Sequence, residues 1–325
     1  MAGSKAVTRE DVRDIVFTPN DAVSLALETI ASRRTTAGVG VRTGLSSLDE
    51  YLCPSRPGEL IVVMGMSSNY KSGLMQYWAR KAAQEVTQEQ IIGQGAVYVT
   101  WEMAIEELLA SDLAIAAGLS VMDIMQGHIS DADMWTLQNQ HGPRRAVTPL
   151  YLIGHSLKEG KRRPRLTLDT LGHGFQLVKN EFGLTPRIIF LDYLQQIDPG
   201  EGEDRRMQVF DNVARCKDMS LAMSCPVVIG CQANRGVYKQ PWGVPGLSDG
   251  LETSNIEHTA DKVLGVWLPK MTHEIGRIVE QGGREFTVTE DLLIIKVLKQ
   301  RMGPSGKWFP FHVDLAHNEI VPFAS

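Results

Sequence analysis

The chain has 325 residues, of which 43% are hydrophobic and 22% charged, and its formal net charge at pH 7 is −5. This composition is typical of a globular protein with one large or two small domains, and it excludes a uniformly basic nucleic-acid coat protein. A negative net charge still allows a local basic channel that binds a nucleic acid. No run of eighteen apolar residues occurs and the start has no apolar signal core, so we expect a cytoplasmic protein with no membrane partner.

The first predicted element is a helix over residues 20–34. Its apolar residues recur at helical spacing, a proline–asparagine pair precedes it, and two arginines suit its C-terminal turn. A detached amphipathic helix usually needs a surface to pack on, either in its own domain or on a neighbouring molecule. Residues 35–44 separate this helix from the rest, so we expect an N-terminal extension over 1–40 and one domain over 41–325.

Residues 58–73 predict a strand, a loop and the start of a helix. Leu60–Met64 is a short apolar run bounded by glycines, which is typical of a buried strand, and an apolar-periodic stretch follows Ser72. Residues 65–72 read G-x-x-x-x-Y-K-S, which is close to a phosphate-binding loop. In such a loop Lys71 would reach the β- and γ-phosphates and Ser72 would offer its hydroxyl to Mg²⁺. The alternative is an ordinary strand-to-helix turn with a surface lysine.

The loop supplies eight candidate nucleotide-binding residues: Gly65, Ser67, Ser68, Asn69, Tyr70, Lys71, Ser72 and Gly73. One of them, Tyr70, stands where the pattern has a second glycine. A non-glycine residue is tolerated there only if its backbone avoids positive φ and its side chain points away from the phosphates. A Tyr70→Gly substitution is then expected to preserve or tighten nucleotide binding.

Strand and helix signals alternate after the loop. Apolar runs predict strands at 96–101, 150–153, 188–191, 227–231, 263–268, 292–298 and 309–313, and helical periods occur at 105–117, 166–182 and 207–223. This alternation predicts an α/β fold with βαβ units and a mostly parallel central sheet flanked by helices. The last strands follow one another without helices, so we expect an antiparallel edge.

Three further polar residues follow or end predicted strands, where ligands of open parallel sheets bind. Asp192 ends an apolar strand and could hold Mg²⁺ or its water shell, although strands that end in aspartate are common. Glu102 could deprotonate an attacking water, and the alternative is a carboxylate that stabilises a helix N-terminus. Gln232 could sense a γ-phosphate by hydrogen bonding, or it could cap a loop.

Nine stretches, taken together in their order and spacing, resemble the RecA-like ATPase domain of the DnaB-type replicative helicases over about residues 43–319. They are T-G-L-S-S-L-D at 43–49, P-G-E-L at 57–60, W-E-M at 101–103, L-D-Y-L-Q at 191–195, Q-A-N-R at 232–235, L-S-D at 247–249, I-E at 256–257, A-D at 260–261 and K-Q-R-M-G-P-S-G at 299–306. The resemblance implies a RecA-like P-loop NTPase fold that binds ATP and Mg²⁺.

Carried over position by position, the resemblance makes Lys71 and Ser72 the phosphate and magnesium residues. It makes Glu102 the catalytic base and Asp192 the second magnesium residue. 

The same resemblance implies contacts between subunits. Gln232 would couple the γ-phosphate to a DNA-facing loop, and Lys299 and Arg301 would be fingers that enter the ATP site of a neighbouring subunit. Hydrolysis sites between subunits imply a homo-oligomer, expected to be a hexameric ring.

In this family the DNA contacts come from loops that follow two of the strands, here residues 198–207 and 236–249. The candidate residues for phosphate contacts with single-stranded DNA are Arg205, Arg206, Arg235 and Lys239. The basic run at 158–165 could also grip DNA, but a solvated loop is the favoured interpretation.

The resemblance does not include the family's N-terminal domain, which docks primase. The helix at 20–34 resembles the family's linker helix, which packs on the next subunit. We therefore expect a protein of phage, plasmid or mobile-element type in the cytoplasm of a bacterial host, with a loader or primase as candidate partners.

The leading hypothesis is an ATP-dependent DNA helicase of DnaB type, a ring that translocates on single-stranded DNA in DNA replication. A nucleotide-gated DNA-binding assembly or loader protein with weak or no turnover is the alternative, because Tyr70 departs from the loop pattern. A RecA- or KaiC-like ATPase is a second alternative, against which the stretch at 299–304 argues.

Overall fold

The computed structural model describes residues 16–34, 40–158, 166–197, 205–234, 245–249, 253–281 and 283–323. The chain falls into two units, Met1–Gly40 and Val41–Ser325. No helix within the described ranges is long and apolar enough to cross a membrane.

The described part of the N-terminal unit contains helix α1 (Pro19–Ser32). A reciprocal cap begins it, because the Thr18 hydroxyl accepts from the Asp21 N–H at 3.2 Å and the Asp21 carboxylate accepts from the Thr18 N–H at 3.3 Å. No residue of α1 is buried, and its larger apolar side chains are 47–60% exposed. The predicted helix at 20–34 is confirmed, with its ends shifted slightly towards the N-terminus.

The larger unit is built on β-strands. They are β1 (Leu60–Gly65), β2 (Gln94–Thr100), β3 (Leu150–Ile153), β4 (Thr185–Asp192), β5 (Val227–Gln232), β6 (Lys262–Trp267), β7 (Ile278–Gln281), β8 (Arg284–Thr287), β9 (Leu292–Gln300), β10 (Trp308–Asp314) and β11 (Glu319–Pro322). Nine of them form one sheet in the order β11-β10-β9-β6-β1-β5-β4-β2-β3. Strands β1 to β6 pair in parallel, whereas β9, β10 and β11 pair antiparallel. The predicted mostly parallel sheet with an antiparallel edge is confirmed.

The larger unit also contains α-helices. They are α2 (Ser46–Asp49), α3 (Lys71–Gln88), α4 (Ile105–Ala117), α5 (Val121–Met125), α6 (Asp131–Thr136), α7 (Gly142–Ala146), α8 (Leu168–Phe182), α9 (Arg205–Ala222) and α10 (Thr253–Thr259). Alternate side chains of β1 enter different cores: Ile61 and Val63 pack with Trp78 of α3, whereas Val62 and Met64 pack with side chains of α8 and α9. Both faces of β1 are therefore buried, which explains its continuous apolar sequence.

The structure also has elements that the sequence analysis did not predict. Strands β7 and β8 form a separate hairpin between β6 and β9, and β11 extends the antiparallel edge. Helices α5, α6, α7 and α10 are short. These segments mix charged and apolar residues over a few positions, so they lack the continuous apolar runs and long helical periods on which the predictions relied.

Candidate functional site

Four of the predicted site residues lie at one edge of the sheet, because the strands that carry them are parallel. Gly65 at the end of β1 pairs with Gln232 at the end of β5. Thr100 at the end of β2 pairs with Asp192 at the end of β4. Glu102 follows β2 directly. The carboxyl ends of the parallel strands thus bring the loop glycine, the glutamine and both carboxylates to the same edge.

The loop between β1 and α3 closes around the Lys71 side chain. Its Nζ donates to the Met66 carbonyl oxygen at 2.7 Å, and burial lowers the pKa of this lysine. At Gly65 an added Cβ would lie 2.9 Å from the Val266 carbonyl oxygen and 3.1 Å from Lys71 Cγ. Glycine at position 65 therefore leaves the space through which the lysine side chain passes.

Asn69 attaches the loop to the chain that follows β6. Its side chain is 1% exposed. Its Oδ1 accepts from the Leu268 N–H at 3.0 Å, and its Nδ2 donates to the Ser67 carbonyl oxygen at 3.0 Å. The Asn69 side chain is thus committed to shaping the loop, while Ser67 and Ser68 are exposed. That the loop residues bind nucleotide stays a prediction.

Ser72 and Asp192 meet as a hydroxyl–carboxylate pair. Ser72 Oγ donates to Asp192 Oδ1 at 2.9 Å, and Tyr98 Oη donates to Asp192 Oδ2 at 2.7 Å. Burial raises the pKa of the Asp192 carboxyl group, although both hydrogen bonds act in the opposite direction. Hydroxyl and carboxylate oxygens are ligands that Mg²⁺ prefers, so the donor set fits a magnesium ion bound together with phosphates.

Tyr70 has a backbone conformation that the sequence analysis excluded. Its φ is 66° and its ψ is 21°, in the left-handed region, so the expectation that this position avoids positive φ is wrong. Two contacts explain why a tyrosine is held there: its ring covers Gly73, and its hydroxyl donates to Asn318 Oδ1 in the turn between β10 and β11. Burial raises the pKa of Tyr70.

Glu102 lies exposed just beyond the end of β2. Gln196 donates through Nε2 to Glu102 Oε1 at 3.4 Å and to Tyr193 Oη at 3.1 Å. Burial raises the pKa of Tyr193, with a smaller contribution from its hydrogen bond to Glu102. An exposed carboxylate at this edge is accessible to water, and its role as a base stays a prediction.

Gln232 lies at the end of β5 and is linked to the segment after Asp192 by Gln195. The backbone N–H of Gln232 donates to Gln195 Oε1 at 3.2 Å, and Gln195 Nε2 donates to Cys231 Sγ at 3.4 Å. The sequence analysis gave Gln195 no role, although it belongs to one of the stretches that carry the resemblance. A side chain that joins two neighbouring strand ends is detectable only once their pairing is known.

Lys299 and Arg301 lie at the opposite end of the parallel strands from Lys71. Lys299 Nζ donates to the Ala260 carbonyl oxygen at 2.6 Å, and Arg301 Nη2 donates to the His258 carbonyl oxygen at 2.8 Å. These carbonyl groups end helix α10 and lead into β6, which runs parallel to β1. The structure therefore does not bring the two cations to the phosphate loop of their own chain.

Asp261 lies at the same end of the strands as Lys299 and Arg301, opposite the loop that carries Lys71. Its Oδ2 accepts from the Leu60 N–H, at the start of β1, at 2.8 Å and from Lys217 Nζ at 2.7 Å. Its Oδ1 lies 3.4 Å from Arg301 Nε. Strand β1 begins at this edge and ends at Gly65, so the two edges are about 16 Å apart along it.

The predicted DNA-binding residues are only partly covered by the structure. Arg205 and Arg206 begin α9, and only their backbone is described. Arg235 and Lys239 lie outside the described residues, as does the basic stretch at 159–165. Contacts of all these residues with DNA stay predictions.

Three further side chains around the site were not predicted from the sequence: Asn318, Gln76 and Tyr98. Asn318 Nδ2 donates to Gln76 Oε1 at 3.4 Å, and Tyr98 donates to Asp192. Gln76 lies one helical turn after Ser72, which is the sole local signal that it faces the site. Asn318 has no such signal, since 248 positions separate it from Tyr70.

The DnaB-like helicase C terminal domain family matches residues 40–318 of the chain. A replicative DNA helicase DnaB of Leifsonia xyli subsp. xyli (strain CTCB07) is 28% identical over 247 residues, which are 75% of this chain and 50% of that protein. The replicative DNA helicase DnaC of Bacillus subtilis (strain 168) is 24% identical, over 82% of this chain and 53% of that protein. A probable plasmid replicative DNA helicase of Chlamydia trachomatis is 23% identical, over 68% of this chain and 46% of that protein. The chain spans about half the length of these curated relatives.

Solved structures share the fold. The ATPase domain of G40P superposes with a TM-score of 0.77 at 16% identity, over 95% of this chain and 100% of that one. The structure of a DnaB-like replicative helicase and its interactions with primase gives a TM-score of 0.76 at 16% identity, over 97% of this chain and 70% of that one. With the phosphate-loop geometry and the match over residues 40–318, these likenesses agree: the chain belongs to the DnaB-like helicase C terminal domain family.

Proposed function

We propose that this chain is an ATP-dependent DNA helicase of DnaB type, which translocates on single-stranded DNA as a ring and acts in DNA replication. The observation that carries the proposal is the 2.9 Å hydrogen bond between Ser72 and Asp192, beside Lys71 and at the same sheet edge as Glu102. It supports a site in which a phosphate loop and a strand-end carboxylate together hold Mg-ATP. The curated relatives are named replicative DNA helicases, and the family implies nucleotide-dependent activity.

The residues of this edge would divide the chemistry. Lys71 would leave the Met66 carbonyl oxygen for the β- and γ-phosphates, because hydrogen bonds between two charged groups are the stronger ones. Glu102 would accept the proton of the attacking water at a carboxylate oxygen. Bound Mg²⁺, held by Ser72 and Asp192, would neutralise charge on the phosphate oxygens.

The positions of Lys299 and Arg301 support hydrolysis between copies of the chain. Because both lie at the sheet edge opposite the loop, each could assist only the ATP of a neighbouring copy. Gln232, beside the loop glycine, would report the γ-phosphate to the DNA-facing segment after β5. A head-to-tail contact of this kind closes into a ring or extends into a filament, and we propose a hexameric ring.

Single-stranded DNA and further copies of the chain are the proposed partners. DNA would contact Arg205, Arg206, Arg235 and Lys239 through its phosphates. Helix α1 exposes its apolar side chains and would pack on the next copy in the ring. A loader or a primase is a further proposed partner, and the proposed location is the cytoplasm of a bacterial host.

Steady-state ATPase activity, measured with and without single-stranded DNA, tests the proposal. We expect turnover that requires Mg²⁺ and rises with DNA, and we expect Lys71→Ala to abolish it. Lys179→Ala, which changes an exposed lysine of α8, is the matched control and should keep wild-type turnover. A protein that never hydrolyses ATP, with or without DNA, would contradict the helicase proposal.

A nucleotide-gated DNA-binding assembly or loader is the second candidate. The observation that favours it is Tyr70, held in a left-handed conformation where the loop pattern has glycine. Such a protein would bind Mg-ATP tightly and show negligible turnover in the same assay. The family match favours the helicase over the RecA- or KaiC-like alternative.

A further inference from the structure

The turn between β10 and β11 is braced by its own hydrogen bonds. Asp314 Oδ1 accepts from the N–H groups of Ala316 at 2.9 Å and His317 at 3.1 Å. Asn318 follows, 8% exposed and with a φ of 45°, and its carbonyl oxygen accepts from Arg80 Nη2 at 2.6 Å. The turn is therefore fixed internally and also attached to α3.

Tyr70 connects the phosphate loop to this turn. Its hydroxyl donates to Asn318 Oδ1. Its ring fills the space above Gly73, where an added Cβ would lie 2.4 Å from Tyr70 Cε2. A left-handed backbone is unfavourable for a residue with a Cβ, so this conformation persists because the side chain is held at both its ring and its hydroxyl.

Side-chain hydrogen bonds also hold the turn and the Ser72–Asp192 pair. Asn318 Nδ2 donates to Gln76 Oε1 at 3.4 Å, and Gln76 lies on α3 one helical turn after Ser72. Tyr98 donates to Asp192, whose other carboxylate oxygen accepts from Ser72. Tyr70 and Ser72, two positions apart in the loop, are thus each held by a side-chain hydrogen bond, Tyr70 to Asn318 and Ser72 to Asp192.

We propose that Tyr70 is a positioning residue for the nucleotide phosphates, and that its hydrogen bond to Asn318 fixes the loop in the shape that binds them. The proposal rests on nucleotide binding at this loop, as proposed above. A loop whose geometry is set beforehand loses less conformational freedom when the nucleotide binds. The expectation for Tyr70→Gly is thereby reversed: removing the ring and the hydroxyl together should weaken nucleotide binding.

Equilibrium dissociation constants for Mg-ADP, measured on the full chain by titration calorimetry, test the proposal. Tyr70→Phe removes only the hydroxyl, and Asn318→Gly removes the acceptor while it still allows a positive φ. Each should raise Kd about three- to tenfold, the effect of one hydrogen bond. The double variant should match Asn318→Gly, because that substitution already removes the bond to Tyr70 together with the 3.4 Å contact between Asn318 and Gln76.

Tyr77→Phe is the matched control, since this tyrosine lies on α3, the helix that Tyr70 precedes, but donates to the Gly44 carbonyl oxygen at 3.2 Å. It should keep the wild-type Kd. If Tyr70→Phe and Asn318→Gly lower the unfolding midpoint but leave Kd at the wild-type value, Tyr70 has only a structural role and the proposal is overturned. Effects that add fully in the double variant would overturn it as well.

Lys71→Ala separates this proposal from the proposed function. If Lys71→Ala loses Mg-ADP binding while Tyr70→Phe does not, the nucleotide site stands and the positioning role of Tyr70 fails. If the wild type and Lys71→Ala bind Mg-ADP equally, or neither binds it, the nucleotide site itself is contradicted and both proposals fail together.

Discussion

At the scale of single residues, the two carboxylates of the site have different surroundings. Asp192 is buried and accepts from two hydroxyl groups, and burial raises its pKa. Glu102 is exposed, and it is contacted by Gln196 at 3.4 Å and by Tyr193. A buried, hydrogen-bonded carboxylate suits a bound cation, whereas an accessible one suits proton transfer from water.

The local residues of the site could be predicted because their geometry follows from short sequence patterns. Lys71 and Ser72 belong to a strand–loop–helix pattern, and Asp192 ends a continuous apolar run. The conformation of Tyr70 could not be predicted, since it depends on a hydrogen bond to a residue 248 positions away. Sequence patterns describe neighbours along the chain, and this contact depends on how the β10–β11 turn packs on the loop.

Glu102→Gln tests the role of the exposed carboxylate. The amide keeps the shape of the side chain but accepts no proton, so we expect wild-type affinity for Mg-ATP, intact assembly and a kcat lower by about 10²- to 10⁴-fold. Single-turnover hydrolysis together with ATP titration gives both quantities. Glu107→Gln, at an exposed glutamate in the first turn of α4, is the control. Wild-type turnover in Glu102→Gln would remove this residue from the mechanism.

At the scale of elements, most of the predicted strands are buried on both faces, whereas β10 is buried on one face. Runs such as Leu60–Met64 are apolar throughout because each face of the strand meets a different core. Within the described residues the hairpin of β7 and β8 pairs only with itself, and it carries the charged residues Glu280, Arg284 and Glu285. Such short, partly exposed segments have no continuous apolar run, and their strand character depends on pairing that the sequence does not display.

Asp261 joins three elements at the edge opposite the phosphate loop, through Leu60, Lys217 and Arg301. We expect Asp261→Asn to lower the free energy of unfolding by about 1.5–3 kcal/mol, because it removes the charge from a hydrogen bond to Lys217 and from an ion pair with Arg301. Urea denaturation at fixed protein concentration measures this loss.

Asp169→Asn is the control for that measurement, since Asp169 pairs with Arg215 but its side chain is 80% exposed. An exposed pair of this kind contributes about 0–1 kcal/mol. Equal losses of stability in the two variants would show that Asp261 is no more than a surface ion pair.

At the scale of the whole molecule, the proposed site residues lie at two opposite ends of the parallel strands. The loop, Glu102 and Asp192 lie at one sheet edge, and Lys299 and Arg301 lie at the other. The central claim is therefore that copies of the chain complete one another's sites. Removal of an arginine that acts in a neighbour's site typically lowers turnover by 10³-fold or more, so Arg301→Ala should bind Mg-ATP but hydrolyse it very slowly.

Mixing two inactive variants tests this claim most directly. Lys71→Ala and Arg301→Ala should each be inactive alone. When they are combined under conditions in which subunits exchange, contacts that pair an intact Lys71 with a neighbour's intact Arg301 should restore part of the ATPase activity. An Arg301→Ala protein that hydrolyses ATP normally as a dilute monomer would contradict the claim, and so would a mixture that stays inactive although its subunits have exchanged.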